Sequence, residues 1–109
     1  MLQGSLADTP IDWRPEGILT NVKNQGSCGS CWAFAATTTM EAIWHKNYGT
    51  EGAASERMSE QQLVDCDPTS SGCNGGWMDW AWYYMMQSGK GGMLYNDYPT
   101  PYNAVDQVC

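Results

Sequence analysis

A chain of 109 residues with twelve acidic against five basic side chains carries a formal net charge of −7, which argues against nucleic acid or an anionic membrane as a partner. No run approaches the roughly 20 apolar residues of a membrane span, so one soluble domain is expected. A domain this small buries a modest share of its surface and gains from stapling; the five cysteines can provide it, and an odd count leaves one thiol over.

Taken in chain order, Met1 to Thr9 has neither a charged start nor a sustained apolar core. It is therefore read as a tail, a cloning scar or the remnant of a removed pro-segment, and not as a signal peptide. From Pro10 to Lys23 the apolar residues Ile11, Trp13, Ile18, Leu19 and Val22 are interrupted by Pro15 and Gly17 and follow no period, which reads as extended chain and turns. A glycine- and serine-rich stretch, Gln25 to Ser30, then delivers Cys31 onto a helix predicted to run from Trp32 to about Lys46. Ser30 is its expected N-cap, Gly29 allows a tight turn before it, and Asn47 and Gly49 supply the stop. Cys31, Ala35, Thr38 and Ala42 fall near one stripe of that helix, while Phe34, Ile43 and Trp44 mark other apolar contacts, a pattern that suggests burial on several sides. Thr37 to Thr39 conflict with helix propensity, so tertiary packing must override it.

Thr50 to Arg57 is small and polar, as an exposed loop would be. Ser59 with Gln62 three residues on forms a candidate capping box for a short helix ending near Cys66. Asp67 to Gly76 is turn-rich. From Trp77 to Ser88 an apolar helix is expected, with Trp80, Ala81, Tyr84 and Met85 at helical spacing and Gly89, Gly91 and Gly92 ending it. Met93 to Cys109, with Tyr95, Tyr98, Pro99, Pro101 and Tyr102, reads as irregular chain pinned by its terminal cysteine. There is no internal repeat, linker or Asn-x-Ser/Thr acceptor.

The chemistry concentrates at Cys31. A thiol becomes a good nucleophile on ionising, and the unpaired N–H groups and positive dipole end of a helix favour the thiolate. The run Cys28-Gly29-Ser30-Cys31-Trp32 matches the nucleophile signature of papain-like proteases at every position. Asp12-Trp13-Arg14, Asn21 to Phe34, Leu63-Val64-Asp65-Cys66-Asp67 and Gly72-Cys73-Asn74-Gly75-Gly76 extend the likeness in order. The chain thus resembles the papain family of cysteine peptidases, closest to its cathepsin-L-like members, from about Ile11 to Cys109.

That resemblance implies an α+β papain-like cysteine proteinase fold, of which residues 10–109 cover the mainly helical left-hand domain, with a long central helix and two disulfides. It implies that Cys31 is the acylated nucleophile and that the Gln25 amide shares an oxyanion hole with the Cys31 N–H, where one donor is worth roughly 3 kcal/mol in comparable enzymes. Gly75 and Gly76 become bare backbone that pairs with an extended peptide, Gly29 and Trp32 belong to the substrate side, and Trp77 and Met78 line an apolar pocket. The implied bridges are Cys28 to Cys73 and Cys66 to Cys109, each worth roughly 4 kcal/mol for so long a loop. No cofactor or metal is implied. The expected compartment is oxidising and acidic, secreted or lysosome-like.

A peptidase of this kind also needs a histidine and a group to orient it. The one histidine, His45, lies fourteen residues past Cys31 and thus roughly 21 Å along the helix, which makes it a surface helix residue and not the partner. In the family the histidine and asparagine come from a strand-rich domain further downstream. The chain is therefore expected to be inactive alone, to need that complementary domain as a partner, and to self-associate through the face left bare. Three rivals stand beside this reading. Cys28 and Cys31 have the spacing of a dithiol redox site, Cys28, Cys31, Cys66 and Cys73 are a conceivable zinc set, and a non-catalytic binding or assembly module fits the same half-domain.

Overall fold

The structure, a computed structural model, describes residues 10–50, 56–87 and 91–109. Three α-helices form among them: α1 (Cys31–Tyr48), α2 (Glu60–Cys66) and α3 (Met78–Gln87). Short 3-10 turns at Arg14–Glu16 and Gly72–Asn74 punctuate the connections, and a lone antiparallel bridge joins Met58 to Leu94. The mainly helical left-hand domain with two disulfides is what the sequence led one to expect. The N-terminal tail, most of the 50–57 loop and Ser88 to Lys90 lie outside the described residues.

The start of α2 and the end of α1 have local causes, whereas Ser30, the expected cap of α1, makes no side-chain cap bond. At α2, Ser59 sits in extended backbone and its hydroxyl accepts the Gln62 N–H at 3.0 Å, as a cap does. The other half of the capping box does not form, because the Gln62 side chain instead donates to the Gly91 carbonyl and accepts from the Met93 N–H. Gly49 stops α1 at φ 126° with its N–H on the His45 carbonyl, a conformation that favours glycine.

α1 packs against both α2 and α3. The core joins Trp32, Ala33 and Ala36 of α1 to Leu63 and Val64 of α2 and to Ala81 and Met85 of α3. Full burial of a side chain such as Leu63 contributes about 2 kcal/mol. Two indoles lock the seams: Trp32 Nε1 donates to the Gly72 carbonyl at 3.0 Å and Trp82 Nε1 to the Ala36 carbonyl at 3.3 Å.

The inward face of α1 corrects the expectation from spacing. Trp32, Ala33, Ala36, Thr37, Glu41 and His45 are buried, whereas Cys31, Ala35 and Thr38 are exposed and Ala42 is partly covered. The expected burial on several sides is thus corrected to burial on one, and that interior side carries a buried ion network that hydropathy cannot see. Lys23 Nζ lies 2.7 Å from both Glu41 and Glu60, Arg57 Nη2 lies 2.7 Å from Glu60, and Thr20 Oγ1 and the Met58 N–H also reach Glu41. Thr37 earns its place in the threonine run here, with Oγ1 2.9 Å from the Glu60 carboxylate. Trp80 is likewise outside the buried stripe of α3, which runs through Ala81 and Met85.

Candidate active site around Cys31

Four of the five cysteines are paired, Cys28 with Cys73 and Cys66 with Cys109, and Cys31 is free and exposed as the first residue of α1. This pairing removes both metal and redox rivals, since Cys28, Cys66 and Cys73 have no sulfur left for a dithiol or a zinc ion.

The loop before Cys31 is held from several sides. Gly26 turns at φ 66° and donates to Asn24 Oδ1, and the Gln25 amide crosses the loop to the Cys28 carbonyl at 2.9 Å. Gly29 donates its N–H to the Cys73 carbonyl at 2.8 Å, and a Cβ there would stand only 2.5 Å from that oxygen. Glycine is therefore required at position 29 by close approach of two backbones. The same contact and the Cys28–Cys73 bridge set the nucleophile loop beside the segment that continues into Gly75 and Gly76.

Gly75 takes φ 121° with open space where a side chain would go, and a Cβ on Gly76 would lie 2.8 Å from the Trp32 ring and 2.7 Å from Ser70 Cβ. Beyond them Trp77 is 58% and Met78 36% exposed, so neither belongs to the core. Trp32 is a correction. It is only 1% exposed, and with its indole N–H on the Gly72 carbonyl the side chain supports the glycine strip from beneath instead of touching a substrate.

His45 is a second correction. It is 2% exposed, with Nδ1 3.3 Å from the Gly49 carbonyl and Nε2 3.0 Å from the Glu56 carbonyl. The ring ties the end of α1 to the next segment, and it stays at the opposite end of the helix from Cys31. What sequence reasoning missed is Tyr102. Its hydroxyl donates to the Gln25 carbonyl and lies 2.7 Å from Ser30 Oγ, and its ring meets Phe34 edge-on at 4.9 Å. No local signal marks it, because its partners lie 72 and 77 positions away.

Chemically, the site offers a free, exposed sulfur at the amino end of a helix, next to a glycine segment in which Gly75 already donates its N–H to the Gly72 carbonyl and accepts the Ser71 N–H. The one histidine of the sequence, His45, is near the other end of α1 and is not brought to Cys31.

The comparisons with known proteins agree with this geometry. Residues 7–109 match the model of the papain family cysteine protease. The chain is 48% identical over 101 residues to a cathepsin L-like proteinase of Fasciola hepatica, covering 91% of this chain and 28% of that protein. It is 45% identical over 100 residues to papain of Carica papaya, covering 91% and 26% respectively. Among solved structures, a digestive procathepsin L2 proteinase from Tenebrio molitor larval midgut superposes with a TM-score of 0.81 at 42% identity, covering 91% of this chain and 30% of that one. A Carica candamarcensis cysteine protease in complex with E-64 gives a TM-score of 0.77 at 39% identity, covering 91% and 43%.

Proposed function

This chain belongs to the papain family of cysteine proteases, and we propose that it is the nucleophile-bearing half of a cysteine endopeptidase that cleaves peptide bonds through a thiolate acyl-enzyme. The single observation that carries the reading is the sulfur count: one exposed free thiol at the first residue of α1, with every other cysteine bridged. The chain spans about 28% of the Fasciola hepatica relative and 26% of papain.

In this reading an extended peptide lies along Gly75 and Gly76, with a side chain against Trp77 and Met78, and its carbonyl carbon meets the Cys31 sulfur. Attack forms the C–S bond and places charge on the carbonyl oxygen. The Cys31 N–H and the Gln25 amide, released from the Cys28 carbonyl, receive that charge. Collapse expels the amine, which needs a proton, and water then cleaves the thioester. The proton comes from a histidine, oriented by an asparagine, on a complementary strand-rich domain docked over the exposed Cys31, Ala35 and Thr38 face of α1. The disulfides fit an oxidising compartment, secreted or lysosome-like, and no helix among the described residues is long and apolar enough to cross a membrane.

Two measurements on the 109-residue polypeptide test this. Iodoacetamide or an epoxide thiol inhibitor should modify Cys31 selectively at mildly acidic pH, and a fluorogenic peptide should be turned over negligibly until the complementary domain is added. Turnover by the pure chain, abolished by Cys31→Ala, would defeat the claim that this half is inactive alone. A Cys31 no more reactive than free cysteine would defeat the nucleophile assignment and favour the second reading, a non-catalytic binding module built on the same uncovered face.

A further inference from the structure

The Tyr102 hydroxyl has one proton and two oxygen neighbours. The Gln25 carbonyl can only accept, so Tyr102 donates to it, and the 2.7 Å contact with Ser30 must be Ser30 Oγ donating to Tyr102. One phenol thus spans both ends of the loop that precedes Cys31, and its ring is braced by Phe34 in the first turn of α1.

Ser30 occupies the N-cap position of α1 yet makes no side-chain cap bond. Comparison with Ser59 within the same chain shows the difference. Ser59 has ψ 111° and caps α2, whereas Ser30 has ψ 21°, with its hydroxyl turned to Tyr102 and, at 3.5 Å, to the Cys28 carbonyl. A serine in that position ordinarily claims the N–H of the second or third helical residue, and those are among the groups that favour a thiolate at a helix start. The Ala33 and Phe34 N–H groups already donate to the Ser30 carbonyl, at 2.9 and 3.1 Å, whereas neither the Cys31 nor the Trp32 N–H has a side-chain acceptor among the described residues.

We propose that Tyr102 is a positioning residue for the nucleophile: its hydroxyl holds Ser30 in a non-capping conformation, so that the Trp32 N–H, the one donor a capping Ser30 could still claim, stays free for the Cys31 sulfur. The inference rests on the assignment of Cys31 as nucleophile. Losing the hydroxyl lets Ser30 rotate onto the helix end and compete with the sulfur for that donor.

The test is iodoacetamide labelling of Cys31 in the full chain, unaltered and as Tyr102→Phe, alone and with Ser30→Ala. Tyr102→Phe keeps the ring against Phe34, and near-ultraviolet circular dichroism verifies that each variant is folded. At about pH 6 the labelling rate of Tyr102→Phe should fall about fivefold, the weight of one helix cap, while at about pH 10, above the ordinary range of thiols, the rates should coincide. Adding Ser30→Ala should restore the rate at the lower pH, because alanine cannot cap. An unchanged rate in Tyr102→Phe, a loss of equal size at both pH values, or a loss that survives Ser30→Ala overturns the proposal. An unaltered chain that labels no faster than free cysteine overturns the nucleophile assignment itself, and the two failures are thereby told apart.

Discussion

Lys23 faces two glutamates and has little water to soften the arrangement: its side chain is 7% exposed, and those of Glu41 and Glu60 are 1% and 0%. Removing the cation while leaving both carboxylates buried costs far more than a surface pair would, about 3–5 kcal/mol. Lys23→Met should therefore lower the midpoint of urea unfolding by that equivalent, and a loss below about 1 kcal/mol would place the network in the class of solvent-screened pairs. Tyr98 offers a pH test. Burial first, and then its hydrogen bond to the Asp65 carboxylate at 2.8 Å and the charge there, push the phenol above its ordinary value. The folded chain thus holds that proton more tightly than the unfolded one. Its contribution to stability is complete below about pH 10 and is lost as pH rises through the folded value. Tyr98→Phe should lose less stability than the unaltered chain between about pH 9 and pH 11 in urea titrations, and equal losses would refute the coupling. At this scale the sequence is legible where chemistry is contiguous. Cys31 is announced by its immediate neighbours, whereas Lys23 meets its glutamates across 18 and 37 positions and Tyr102 meets Ser30 across 72.

Between elements, the Ser59 cap and the Gly49 stop were readable because each acts within a turn, whereas Ser30, read as the cap of α1, makes no cap bond and bonds the distant Tyr102. Ser59 caps α2 through the Gln62 N–H, so Ser59→Ala should destabilise the fold by about 1 kcal/mol in thermal or urea unfolding, and a change within a few tenths would mean the helix end is held by tertiary contacts alone. The face of α1 was misread for a physical reason. Its interior side pairs Trp32, Ala33 and Ala36 with Thr37, Glu41 and His45, while Ile43 and Trp44, counted as apolar contacts, are 51% and 46% exposed. The polar residues are affordable inside because Lys23, Thr20, Met58 and backbone carbonyls satisfy them. Trp32 illustrates the limit in another way: adjacency to the nucleophile suggested a substrate contact, yet the ring lies beneath Gly76, where it supports the strip.

For the molecule as a whole, the uncovered side of α1 is flanked by two grooves. One is lined by Leu19, Val22, Phe34, Ala35 and Thr38, and the other by Trp13, Ile18, Ala42 and Ile43. Apolar surface of this kind drives association. Sedimentation velocity should show concentration-dependent growth beyond a monomer that is suppressed by the complementary domain; a clean monomer at high concentration would count against docking through this side. The family fold was legible from spaced motifs, but which side is left bare follows from how three helices share seven core residues, and that emerges only in three dimensions. The two sulfur bridges have a consequence of their own. They link 28 to 73 and 66 to 109, so their loops overlap between positions 66 and 73 and together span every peptide bond from Cys28 onward. A single nick anywhere in that stretch leaves both pieces covalently attached, so cleavage of one peptide bond there sheds no fragment.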